Sequence, residues 1–124
     1  MSKIPSDEAF ARAKRRMRER DRNMDHVNNA FSEYFKEICT ENAHDSHIIA
    51  EDDLSFRAYI FFKKVRDVQL CEESGVSSQL QQFIYDELER QGRGSRDNIV
   101  VNFEFDSDEN VQANFEGDYY LRMR

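Results

Sequence analysis

Asp106, Asp108 and Asn110 fall at alternate positions in the run Asp106-Ser107-Asp108-Glu109-Asn110, a spacing with which side-chain oxygens can take up a divalent cation. A calcium loop wants Gly at its sixth position and Glu at its twelfth, where this chain has Val111 and Gly117, so ordinary acidic-turn chemistry explains the run better. His44-Asp45-Ser46-His47, with His26 upstream and Cys39 nearby, offers ligand types suited to first-row metals. No second ligand pair completes a tetrahedral set, and a polar loop is the expected setting, so no metal and no cofactor are expected. The serines fall in caps and turns, outside any nucleophile elbow. Tyr119 and Tyr120 read as packing aromatics, and no enzyme is expected.

Charge is the remaining chemistry. The net −7 is unevenly placed: Arg12, Lys14, Arg15, Arg16, Arg18, Arg20 and Arg22 outnumber Glu19 and Asp21, a local +5, while residues 23–124 hold ten basic against 21 acidic residues, a net −11. Three acidic clusters stand out: Glu51-Asp52-Asp53, Glu72-Glu73 and Asp106-Ser107-Asp108-Glu109. Such a body repels phosphate backbones and anionic membranes and attracts basic protein surfaces. Asp106, Asp108 and Glu109, together with Asp52, Asp53, Glu72 and Glu73, are therefore the expected contacts to a cationic partner. The basic run is the alternative site, for nucleic acid or an acidic protein. It lacks aromatics that would stack on bases, which disfavours nucleic acid. Pairing of these arginines with the acidic body of another copy keeps a homo-oligomer open.

These groups need elements to hold them. Phe10, Met17, Met24, Phe31 and Ile38 recur every seventh position, predicting an amphipathic helix over about 7–41, started by Ser6 with Asp7 and Glu8 in the first turn. Its apolar face is dense only from Met24 onward. The first half is expected to project and the second to pack, with a break possible at Asn28 and Asn29. Ile48 to Ala50 reads as an edge strand or the tail of a loop. Phe56, Ala58, Ile60 and Phe62 form one face of a strand over Leu54 to Lys64, and Val65 to Cys71 is expected to stay extended. A second helix, capped by Ser77 or Ser78, carries Leu80, Phe83, Ile84 and Leu88 and ends at Gly92 or Gly94. Ile99, Val101, Phe103 and Phe105, then Val111, Ala113 and Phe115, alternate around the acidic turn as a β-hairpin.

The expected fold is α+β: a single domain over 1–124 with an antiparallel sheet of four or five strands and two helices on one face. At 124 residues the chain can bury one core. It has no apolar run of the roughly 20 residues that cross a bilayer and no export signal, which makes the cytosol the expected address and no membrane partner expected. Cys39 and Cys71 are expected as reduced thiols, with a bridge between them the lesser reading.

The last third carries a likeness. The stretch SSQLQQFIYDELE, the strand NIVVNFEF, the turn DSDEN and the segment VQANFEGDYY ending in LRMR cover about residues 77–124. In that order they resemble small bacterial immunity proteins of polymorphic or contact-dependent toxin systems, the YezG-like group. The resemblance implies a stoichiometric inhibitor that binds a cognate protein toxin with a basic surface, often a nuclease, in the cytosol. It carries no residue role onto this chain.

Overall fold

The computed structural model describes residues 6–124. The elements run α1 (Asp7–Arg20), α2 (Met24–Ile38), β1 (Ala43–Ala50), β2 (Ser55–Phe62), α3 (Val65–Glu73), α4 (Val76–Arg90), β3 (Val100–Ser107), α5 (Asp108–Asn114) and α6 (Tyr119–Met123). The class is α+β, and the sheet is three-stranded and mixed, in the order β1-β2-β3, with β1 antiparallel and β3 parallel to β2. The expectation of four or five antiparallel strands is thus corrected among the described residues. The expectation of helices on one face is corrected as well.

Two segments that are helical rather than extended account for both changes. Val65 to Cys71 alternates in hydropathy, yet it is helical: the Asp67 carboxylate accepts from the Lys64 backbone N–H at 3.0 Å and fixes the first turn, while Cys71 is turned inward. With α3 and α4 placed between them, β2 and β3 are joined by a helical crossover, the connection that parallel neighbours require. The second half of the expected hairpin is α5. Ser107 caps it, its Oγ accepting from Asn110 N–H at 3.1 Å, with Asp108 and Glu109 in the first turn where the helix dipole favours them. Val111 and Phe115 fit a helix (i, i+4) as well as they fit a strand, and seven residues are too few for periodicity to choose.

The helix expected over 7–41 is two helices. The break lies at Asp21–Asn23, upstream of Asn28, and Asn23 adopts the left-handed conformation (φ 61°) that Asn tolerates better than most residues. No residue of α1 is buried, whereas α2 buries Met24, Val27, Phe31 and Phe35.

Strand β2 explains the layers. Phe56, Ala58, Ile60 and Phe62 face α2 and α4 in the main core, with Leu80, Ile84, Leu88 and Val101. Tyr59 and Phe61 point the other way and are just as buried, because α5 and α6 lay Val111, Phe115, Tyr119 and Met123 over them. Each fully buried large apolar side chain of β2, on either face, contributes about 1.5–3 kcal/mol.

Candidate protein-binding groove

The acidic run at 106–109 lies at the junction of β3 and α5 rather than at a hairpin tip, and its carboxylates have internal partners. Asp106 is ion-paired with Arg122 Nε, accepts from Asn110 Nδ2 at 3.1 Å, and takes the Ser107 N–H at 2.7 Å. Arg122 also reaches Glu104 at 3.3 Å. Burial works against the Arg122 charge, but the pair with Asp106 outweighs it and holds the guanidinium above its usual range. Asp108 accepts from the Tyr119 hydroxyl at 2.5 Å and faces His44 Nε2 at 3.4 Å. The Tyr119 hydrogen bond depresses the Asp108 carboxyl, with Gln112 and His44 adding to it; burial and the same carboxylate push the Tyr119 phenol up. Glu109 Oε1 accepts from the Val65 N–H at 3.0 Å and so ties α5 to the start of α3.

The other expected contacts divide. Glu72 and Glu73 stand exposed on α3, Glu73 taking a hydrogen bond from Gln69 at 3.0 Å. Asp52 and Asp53 sit at the opposite end of the sheet, in the β1–β2 turn. Asp52 accepts from Leu54 and Ser55 N–H at 3.0 and 2.8 Å, which depresses its carboxyl.

The basic run is also placed. Arg12 pairs with Glu8 at 3.2 Å, Arg20 grips Asp21 at 2.9 Å, and Lys14 lies 4.8 Å from the centre of the Phe10 ring. Arg22 donates to Gly92 C=O at 3.0 Å. Lys14, Arg15, Arg16 and Arg18 make no ion pair among the described residues. Arg16 and Arg20 border a cleft of about 370 Å³ whose far wall is Glu51, Asp52 and Asp53, so two oppositely charged predicted surfaces face each other within one chain.

What the fold does bring together is Glu72 with Asp106. They line a groove of about 320 Å³ between α3 and the end of β3, with Val65, Val68, Gln69, Phe105, Ser107 and Asn110. Val65 is 55% exposed, Val68 and Phe105 are partly buried beneath it, and Glu72 stands exposed at the edge, so the floor is apolar and the rim carries a carboxylate. That composition suits a protein segment with apolar and cationic side chains.

His44, Asp45, Ser46 and His47 lie in β1 rather than in a loop, with His47 Nε2 3.2 Å from Asp45. No set of three or more His, Cys, Asp or Glu side chains is grouped to hold a metal ion among the described residues. Cys39 and Cys71 are free thiols on either side of a small cleft that also includes Asp67 and Leu70; burial first, then Cys39 and Glu72, pushes the Cys71 thiol up to about 12.

Three side chains gain importance only in three dimensions. Arg122 locks α6 onto β3. Arg93 is almost fully buried, donates to Arg22 C=O at 3.0 Å, and stacks 4.9 Å from the Phe56 ring centre. Asn28 bonds both backbone groups of Ile48, accepting from its N–H at 2.8 Å and donating to its C=O at 2.9 Å. A mid-helix Asn, a poor helix former beside a dense apolar face, was the one available signal for the last. Compared with protein families, curated proteins and solved structures, the chain matches none.

Proposed function

We propose that this chain is a stoichiometric binding protein of the immunity or inhibitor class, which holds a cationic protein toxin against the acid-rimmed groove between α3 and β3. The observation that supports this reading most is a groove lined by exposed Val65 and by the partly buried Val68 and Phe105, with exposed Glu72 on its rim and Asp106 in its wall. Asp106 contributes mainly by shaping the groove wall and Asp108 is engaged away from the groove by Tyr119 and His44, whereas Glu72 and Glu73 are available to meet a basic surface. Complementary charge at a rim speeds encounter and makes association salt-sensitive, while apolar burial at the centre supplies residence time.

The test is co-expression with the product of the adjacent reading frame. Growth should be rescued by the natural chain and lost with a Glu72→Lys, Glu73→Lys double variant that melts normally. Full rescue by the double variant would remove the groove from the interface. A second reading is favoured by one observation: α1 buries nothing and presents Lys14, Arg15, Arg16 and Arg18 without ion pairs among the described residues. It assigns that helix to nucleic acid or an acidic protein. Replacing those four residues with Ser should then abolish a steeply salt-dependent signal on a polynucleotide, an effect the inhibitor reading does not expect.

A further inference from the structure

Strand β3 is one of the two edge strands of the sheet, and its register shows what its outer side offers. Val100 is paired with Ser55 and donates its N–H to Leu54 C=O at 2.9 Å. In a parallel ladder alternate residues turn both backbone groups toward the neighbour, so Val100, Asn102, Glu104 and Asp106 serve β2. Val101, Phe103 and Phe105 turn their N–H and C=O groups outward, and no hydrogen bond to them is found among the described residues. The row ends at Ser107, whose N–H is taken by the Asp106 side chain. The opposite edge of the same sheet is closed at its centre, because Asn28 occupies both backbone groups of Ile48.

The two sides of this open edge differ chemically. Phe103 and Phe105 are half-buried on the main-core side, Phe103 against Tyr85 of α4 and Phe105 beside Val65 and Val68 of α3, which continue an apolar wall along the strand. Glu104, its side chain 40% exposed, and Asp106 project from the other side, where the single guanidinium of Arg122 pairs with both and leaves the pair of carboxylates in excess. We infer that the outer edge of β3 is a strand-docking site, which takes an extended segment of the partner protein in which apolar residues alternate with Lys or Arg. Backbone pairing to Val101, Phe103 and Phe105 supplies the affinity, and the alternation reads the two sides. A second copy of β3 is the poorer occupant, since antiparallel self-pairing stacks Glu104 and Asp106 of both copies on one side, where like charges destabilise. The inference rests on the proposed function only in taking a protein segment as the ligand.

The probe is a short peptide of alternating Val and Lys, compared with its Val and Glu counterpart, on the full chain. Amide hydrogen exchange is read at Val101, Phe103 and Phe105, with Ile48 as the internal control. At a peptide concentration about ten times its dissociation constant, the Val/Lys peptide should slow exchange at the three amides about tenfold and leave Ile48 unchanged. The Val/Glu peptide should do neither. Glu104→Gln, which can still hydrogen-bond Arg122, should weaken the Val/Lys peptide severalfold.

Three outcomes overturn the inference: no protection at these amides, equal protection by both peptides, or protection that grows with protein concentration alone while the mass doubles. If Glu72 and Glu73 prove essential for toxin rescue while the edge amides stay unprotected in that complex, the inhibitor reading stands and strand docking falls. If the peptide docks but rescue ignores the groove, the converse holds.

Discussion

The two edges of the three-stranded sheet are finished in opposite ways. At β1, Asn28 reaches across from α2 and satisfies both backbone groups of Ile48, so the edge cannot pair at its centre with another chain. At β3, the outward groups of Val101, Phe103 and Phe105 meet no such device, and a groove with an apolar floor and an acidic rim runs beside the end of the strand. Edges are hazards that proteins blunt, so one blunted edge and one open edge in the same sheet point to use at the open one. The contrast also sorts the acidic residues. Asp106 is built into the wall beside the open edge and Asp108 is tied to Tyr119 and His44, while Glu72 and Glu73 stand exposed on α3.

The heaviest blow to the contrast falls on the layer behind β3. Phe61→Ala removes a fully buried ring from the small core under α5 and α6 and should cost about 3–5 kcal/mol in chemical denaturation. A cost below about 1 kcal/mol would show that α5 and α6 are not firmly seated there. Next comes the closed edge. Asn28→Ala leaves the Ile48 N–H and C=O without their partner and should cost about 1–3 kcal/mol, and it should turn β1 into a second open edge. Faster exchange at Ile48, with concentration-dependent association by light scattering, is the signature. Unchanged exchange would mean that Asn28 does not guard the edge.

A smaller effect concerns Tyr119 and Asp108. Tyr119→Phe should cost about 1 kcal/mol near neutral pH by removing their hydrogen bond. Because the Asp108 carboxyl is depressed in the folded chain, its contribution is present above the ordinary Asp value of about 3.9 and fades as pH falls through the lower folded value. The natural chain and the variant should therefore converge in acid. Tyr119 has the opposite sign: its raised phenol favours the fold below about pH 10, and that margin is lost as pH climbs toward the folded value. Parallel acid unfolding curves for the two proteins would disprove the linkage. Smallest of all, Glu72→Lys should change stability by no more than about 0.5 kcal/mol while altering partner association, which separates rim acids from wall acids.

How much of this was legible depends on the segment. Apolar periodicity within one element read correctly for the packed face of α2 from Met24 onward, the core parity of Phe56, Ala58, Ile60 and Phe62, and α4 with its Gly92 terminus, although the seven-residue repeat from Phe10 to Ile38 runs unbroken across a turn at Asp21–Asn23 that divides it into two helices. Short segments did not. Val65 to Cys71 and Val111 to Phe115 each satisfy both periods over fewer than ten residues, and the deciding terms were local caps from Asp67 and Ser107 and a vacant sheet face to cover. The acidic clusters were visible as charge. Their partners were not, because Arg122, Tyr119 and Val65 lie far along the chain from the carboxylates they meet.

By itself the sequence determined composition, the acidic body with its basic first helix, the α+β class and the residues of the main core, since burial and periodicity act through near neighbours in the chain. Only the tertiary structure decided strand direction, which acids are engaged and which are displayed, and which edge is left open. Those outcomes depend on hydrogen bonds and ion pairs between groups up to dozens of residues apart, and a linear pattern does not encode which of many such pairings closes the structure.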